Sequence, residues 1–277
     1  MNTQTHILMC SPDFYGVQYE INPWMNRERK VDHESAVKQW NELYKILVEL
    51  GVRISHLDPV EGLPDLVFTA NAAMIFKNEA ILSRFRHEQR QGEETHNADW
   101  LAANGFQVRR LPENYHFEGA GDALFYGDTL FSGYRIRSDA RSHQMVGEML
   151  GCRVIPLELV DAYFYHLDTC FCPLNTQTAI YYPGAFDQYG QTVLRESISK
   201  LIAVDEKDAR AFGCNAVVVR KNVVMNVGCD SIARQIRAHG FTAIETPLSE
   251  FVKAGGSAKC LTLRLDGEEA AAWKETS

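Results

Sequence analysis

The chain has 277 residues, 45% hydrophobic and 23% charged, an ordinary globular balance that excludes global disorder and coiled coil. Its length fits one or two domains and supports a core that needs no disulfide staple. With 28 Lys and Arg against 36 Asp and Glu, the net charge of −8 argues against a nucleic-acid-coating surface and still allows a local basic pocket. The seven cysteines form no CxxC pair. Residues 1–10 lack the basic and long apolar regions of a signal peptide, and no apolar run nears the ~18 residues of a membrane span. A cytosolic protein with reduced thiols is expected, without nucleic-acid or membrane partners.

The first element is the strand HILMC (His6–Cys10). From His33 to Leu50, the residues Val37, Trp40, Leu43, Tyr44, Leu47 and Leu50 recur at helical spacing. Gly51 ends that helix as a C′ glycine does, and VRISHL follows as a strand. LVFTANAAMIF with EAILSRF reads as strand and hairpin. The charged stretch 84–94 is too short to be a linker. Asn97 to Asn104 reads as helix, followed by Gly105 and FQVRRL. ALFYG-DTLFSGY is a hairpin. Ser138 to Leu150 reads as helix, followed by Gly151 and CRVIPL. TAIYYPG is a strand, and a weaker copy near 188–204 runs from helix into LIAV without the glycine. AVVVRKNVVMNVG is a hairpin. Asp230 to His239 reads as helix, followed by Gly240 and FTAIETPL. CLTLRLD is the last strand, and 266–277 reads as a tail.

A repeat organises these elements: strand, hairpin or loop, helix, five times, at roughly 40–55 residues per unit. HILMC would complete the last unit and close a ring. An ordinary doubly wound α/β sheet is the alternative, since glycine after a helix is common.

Aligned on the repeat, polar residues fall at corresponding loops. Asn71 and Cys260 each lie 20 residues past the helix-ending glycine. Glu118 and Asp122 lie in HFEGAGD, and His166 and Asp168 in YHLDTCF. The fourth unit offers NAVVVRKN, without His, Cys or carboxylate. If the units surround an axis, these loops meet at one end. A thiolate is a nucleophile that needs a basic or electropositive neighbour. A His moves protons near neutral pH, and a Glu beside it orients it and favours its charged form. Adjacent carboxylates grip a planar cation such as guanidinium. The set points to attack on an amidine or guanidine carbon. Each member also has a structural use: a turn before a strand for Cys260, a core histidine for His166, loop-shaping for Glu118, Asp168 and Asn71. His166, Cys170 and Cys172 give H-x3-C-x-C, which matches no usual zinc spacing, so both cysteines are read as core thiols.

PDLVFTAN (Pro64–Asn71), FEGAGD (Phe117–Asp122), HLDTCF (His166–Phe171) and GGSAKC (Gly255–Cys260) together resemble the guanidine-modifying pentein superfamily of arginine deiminases, dimethylarginine dimethylaminohydrolases and amidinotransferases. The resemblance covers residues 64–260. It implies a five-unit α/β propeller, a single catalytic domain over 1–277 and no cofactor. It implies Cys260 as the nucleophile of a covalent thiouronium intermediate, His166 as general acid/base and Glu118 as its partner. Asp168 would hold the guanidinium, Asp65 the substrate α-amino group, and Arg90 and Arg137 the substrate carboxylate, with Arg135 as the alternative to Arg137.

Two departures matter. The family's FEGGD carries an extra Ala120 here, which loosens the placement of Asp122. Asn71 stands where many deiminases have Asp; it keeps hydrogen bonding and drops one charge, which suits a neutral ureido group as well as guanidinium. That variant, with MCSPDFYGVQYEINPWM (Met9–Met25), resembles the arginine dihydrolases, which hydrolyse arginine to ornithine, two ammonia and carbon dioxide and are similar to the hydrolase part of cyanobacterial bifunctional enzymes. No second catalytic domain is expected in this chain. The readings carried forward are arginine dihydrolase, then arginine deiminase, dimethylarginine dimethylaminohydrolase or citrulline hydrolase, and a non-catalytic pentein, which would have no reason to keep Cys260, His166, Glu118 and Asp168 together. The substrate is a small molecule, and a homo-oligomer is compatible with the sequence.

Overall fold

The structure is a computed structural model that describes residues 4–268. Five sheets of three strands share one plan: an antiparallel pair, then a third strand parallel to the second. The parallel step needs a crossover, and each unit supplies it with a helix. The second unit joins Ala73–Phe76, Glu79–Leu82 and Gln107–Arg109. The third joins Ala123–Tyr126, Thr129–Tyr134 and Arg153–Glu158. Phe171–Pro173, Thr178–Tyr181 and Lys200–Ala203 form the fourth, and Val217–Val219, Asn222–Asn226 and Thr242–Thr246 the fifth. The first unit is assembled from both ends of the sequence. Leu263–Arg264 pairs antiparallel with His6–Cys10, which runs parallel to Arg53–Leu57. The protein is a five-unit α/β propeller.

The crossover helices are His33–Glu49, Glu93–Ala103, Ala140–Leu150, Gln188–Ser197 and Asp230–Ala238. Asp32 caps the first by accepting from the Ser35 N–H, and Asp187 caps the fourth through Gly190; such caps satisfy amides that the first turn leaves open. Gly51, Gly105, Gly151 and Gly240 all lie at positive φ, between 63° and 88°. That is why the repeat announces itself as glycine: the chain leaves each helix through a left-handed residue.

The first strands of the units face a shared axis, where Leu124, Phe125, Phe171, Val217, Val218 and Arg264 line one cavity. Each first strand is entered from a tight turn, so the turns gather at one end of the axis.

Two expectations need correction, and one stretch left open by the sequence is placed. VFTAN is not strand: residues 64–67 and 69–71 form 3-10 turns, and the strand begins at Ala73. Turn geometry replaces extension there because the segment delivers Asn71 to the site. The charged stretch 84–94 is partly interior: it holds the short helix Glu88–Gln91, and Arg90 and Glu93 are buried. The segment expected as a tail is packed at its start, where Glu268 is buried against Lys259 at 3.0 Å and Asp266 pairs with Arg264; residues 269–277 of that segment lie outside the described residues. Among the described residues, no helix is long and apolar enough to cross a membrane.

Gly151→Ala places a Cβ at φ +63°, a conformation that costs an L-residue about 1 kcal/mol. Urea unfolding is expected to show that loss; an unchanged midpoint would remove the helix-stop role.

Candidate active site

The turns bring together the thiol, the imidazole and the carboxylates. Cys260 sits in the turn before Leu263–Arg264, His166 just before the turn Leu167–Thr169, and Glu118 just before the turn Gly119–Gly121. Cys260 Sγ donates to Asp168 Oδ2 at 3.5 Å, and the Cys260 carbonyl accepts from the Ala70 N–H at 3.1 Å. The last bond ties the Asn71 turn to the nucleophile turn.

Glu118 is fully buried, and its Oε2 accepts from both His166 Nε2, at 2.7 Å, and Arg137 Nη1, at 2.9 Å. Burial works to raise its pKa, but the Arg137 guanidinium and the His166 hydrogen bond outweigh burial and hold it well below the usual carboxylate range. His166 goes the other way. Burial pushes it down to about 4 against the pull of Glu118, so the ring is neutral at pH 7. With Nε2 committed to Glu118, proton exchange with a ligand falls to Nδ1.

Asp168 is raised to about 7, first by burial, with Lys259 opposing. Its Oδ1 is buried without a hydrogen-bond partner. An orphaned carboxylate oxygen beside the thiol marks the place where a cation would be stabilised most. Cys260 itself is raised well above an ordinary thiol, by burial first and then by Asp168. In the free protein the sulfur is therefore a thiol.

Asn71 is held from both sides. Its Oδ1 accepts from Arg90 Nη1 at 3.0 Å, and its Nδ2 donates to the Glu118 carbonyl at 3.2 Å. A Cβ at position 121 would overlap Asn71 Nδ2, so Gly121 admits this contact. Arg90 is itself clamped by Glu93 through two bonds of 2.8 Å and lies 3.9 Å from Asp65 Oδ2.

A cavity of about 250 Å³ opens on Cys260, with Asp65, Asn71, Arg90, Arg137, Tyr165 and Phe68 in its wall and Ile21, Asn22 and Met25 above. The cover is the irregular segment 11–32. Its anchors are Tyr15 OH to the Glu250 carbonyl, Asn22 Nδ2 to the Ala254 carbonyl, Trp24 Nε1 to the Tyr163 carbonyl and Arg137 Nη2 to the Ile21 carbonyl.

The cavity wall thus includes Asp65, Asn71, Arg90, Arg137 and Cys260, while His166, Glu118 and Asp168 stand directly behind it. Asp122 does not face it. Its oxygens accept from the Leu167 N–H and from Ser138 Oγ, so it braces the loop that carries His166 and Asp168. Arg135 pairs with Glu158 on the surface, which leaves Arg137 as the pocket arginine. Cys170 and Cys172 are free thiols with hydrogen bonds to nearby carbonyls, and among the described residues no group of three or more His, Cys, Asp or Glu is arranged to hold a metal.

One site residue escaped the sequence reading. Asn215, fully buried, accepts from the Cys260 N–H at 3.2 Å and donates to the Asp168 carbonyl at 3.0 Å and to Cys260 Sγ at 3.1 Å. The signal was present: Asn215 stands two residues before the first strand of its unit, as Asn71 does before Ala73.

A family model described as N,N dimethylarginine dimethylhydrolase, eukaryotic, matches residues 18–266. The chain belongs to this family. It is 46% identical over 270 residues to the bifunctional arginine dihydrolase/ornithine cyclodeaminase AgrE of Nostoc sp., covering 96% of this chain and 38% of that protein. The chain thus spans well under half the length of that curated relative. It is 40% identical over 257 residues to the N(G),N(G)-dimethylarginine dimethylaminohydrolase of Mycobacterium tuberculosis, covering 93% and 84% of the two chains. Among solved structures it is similar to the N-terminal domain of ArgZ, of Synechocystis sp., captured as an Asn-to-Ser variant covalently bound to a reaction intermediate. The TM-score is 0.92 at 46% identity, over 95% of this chain and 98% of that one. Family membership places the chain among the guanidine-modifying penteins that its four motifs resemble.

The two raised and lowered groups give opposite pH dependences of stability. His166, lowered to about 4, costs stability as pH falls from ~6.5, where the unfolded chain begins to protonate it. Asp168, raised to about 7, costs stability as pH rises from ~4 toward 7, because the unfolded chain ionises it first. Asp168→Asn is expected to raise the unfolding free energy at pH 7.5 by at least about 1 kcal/mol, with the gain gone near pH 4. Equal urea midpoints for variant and parent at pH 7.5 would contradict a strained buried carboxylate.

Proposed function

We propose that this protein is an arginine dihydrolase that converts arginine to ornithine, two ammonia and carbon dioxide, acting as a single catalytic domain. The observation that carries the reading is Cys260 Sγ at 3.5 Å from Asp168, whose other oxygen lacks a partner, in a pocket where Asn71 stands in its wall. The likeness to AgrE and to a domain with a covalently bound intermediate supports it.

The guanidinium enters beside Asp168. Its charge replaces the missing partner of the carboxylate and makes ionisation of the Cys260 thiol easier. The thiolate attacks the guanidine carbon, and one C–N bond breaks. His166 Nδ1 takes the proton of the Cys260 thiol, giving an imidazolium that Glu118 stabilises, and then delivers it to the nitrogen that leaves as ammonia. The thiouronium product is then hydrolysed by water, with His166 as base, giving citrulline and the free thiol. In a second round the thiol attacks the ureido carbon and ammonia leaves again. Water cleaves the resulting thiocarbamate, and the carbamate falls apart to ornithine and carbon dioxide. Thiol, imidazole, carboxylates and the water consumed in each round supply every proton and electron pair, so no cofactor is required. Asp65 and the Arg90 and Arg137 guanidiniums offer opposite charges for the α-amino and α-carboxyl groups. Asn71 adds no second negative charge to the guanidine site, which keeps a neutral ureido group acceptable. Citrulline-forming hydrolysis of arginine or a methylated arginine is the second reading, favoured by the description of the matching family.

Product analysis decides between them. Purified protein incubated with arginine is expected to give ornithine with two ammonia per arginine; citrulline with one ammonia would overturn the dihydrolase reading. Cys260→Ala is expected to abolish turnover, and His166→Ala to remove at least ~100-fold. Asn71→Asp restores a charge that favours guanidinium over ureido substrates. Citrulline is expected to accumulate in that variant, and an unchanged product ratio would remove Asn71 as the selectivity residue.

A further inference from the structure

We propose that Asn215 is a catalytic residue: its side-chain N–H holds and stabilises the Cys260 thiolate, and this fixed donor matters most when the substrate is neutral. The inference rests on the arginine dihydrolase reading only for its second half.

The geometry is a saturated amide. Asn215 Oδ1 takes the Cys260 N–H, one Nδ2 hydrogen goes to the Asp168 carbonyl, and the other points at Sγ. The Lys259 N–H adds a bond to the Asn215 carbonyl at 3.4 Å. The side chain therefore cannot turn without breaking bonds to both loops. Sγ receives one side-chain hydrogen bond, from Asn215, gives one to Asp168, and is also approached by the Ser257 backbone N–H. When the thiol ionises, the bond given to Asp168 is lost and becomes a repulsion, whereas the bond from Asn215 strengthens, because a charged acceptor holds an N–H about twice as well as a neutral one. The Asn215 side chain and the Ser257 backbone N–H both oppose the upward pull of burial and Asp168 on the sulfur. It acts in the empty site, before any ligand arrives.

Arginine brings its own positive charge to the thiolate. Citrulline brings none, so in the second round the thiolate is stabilised by what the protein holds in place. Loss of the Asn215 donor should therefore fall harder on citrulline than on arginine.

The test has two readouts. In the ligand-free protein, iodoacetamide labelling of the Cys260 peptide is followed by mass spectrometry from pH 6 to 10. Asn215→Ala is expected to slow labelling about tenfold below pH 8, the usual worth of a hydrogen bond to a charged group, and to move the profile to higher pH. Asn215→Asp matches the parent side chain in size, keeps the acceptor for the Cys260 N–H and adds a repelling charge; it should shift the profile further, and it carries the test if Asn215→Ala does not fold. A folded variant with the parent's labelling profile overturns the proposal. In steady-state assays, kcat/KM for citrulline is expected to fall at least about tenfold more than for arginine. Equal losses would overturn the neutral-substrate half while leaving the thiolate role to the labelling result. If the parent protein turns over neither substrate, the dihydrolase reading fails, and the labelling profile still decides the role of Asn215.

Discussion

One carboxylate oxygen, Glu118 Oε2, receives both His166 and Arg137 in a space closed to water. Much of the site follows from that sharing. The negative charge survives burial because these two donors converge on one oxygen and the Arg86 N–H gives to the other at 3.3 Å. It fixes the imidazole by one nitrogen, and so decides which nitrogen meets the ligand. It fixes Arg137, whose second amino group reaches the Ile21 carbonyl in the covering segment and whose guanidinium lies 4.5 Å over the Tyr165 ring. Its own carbonyl orients Asn71. Proton transfer, ligand selection and closure of the pocket therefore hang on a single buried charge.

The propeller makes such convergence inexpensive. Each unit contributes one tight turn to the same end of the axis, and the first strand after each turn is anchored by a partner on its outer side. No turn has to reach far. Residues separated by most of the sequence, such as Asn71 and Cys260, meet because their units are neighbours in the ring. The bond from the Ala70 N–H to the Cys260 carbonyl is the joint between them.

The repeat was legible because its stops are physical necessities: a left-handed residue after each helix favours glycine, and four of five units have one. That Cys260, His166, Glu118 and Asp168 gather at one place was legible because chemistry restricts reactive groups to few residue types, placed here in corresponding loops. Asn215 was not, because an amide advertises no chemistry until its neighbours are known; its loop was judged by the absence of His, Cys and carboxylate. Arg90 was expected in the site only through the resemblance, and Glu93, which clamps it, was not singled out, because only the fold shows that this charged run turns inward. Asp122 shares a motif with Glu118, yet motif membership could not separate the side chain that holds His166 and Arg137 from the one that braces the neighbouring loop.

The ring is closed by Leu263–Arg264 lying against His6–Cys10, and the nucleophile stands three residues ahead of that closing strand. During synthesis the carboxylates, the imidazole and the arginines all leave the ribosome long before Cys260 does. A nascent chain can order its middle units with every ligand-gripping group present and no reactive sulfur among them. The thiol arrives with the strand that seals the propeller, so the pocket gains its sulfur only as the ring closes.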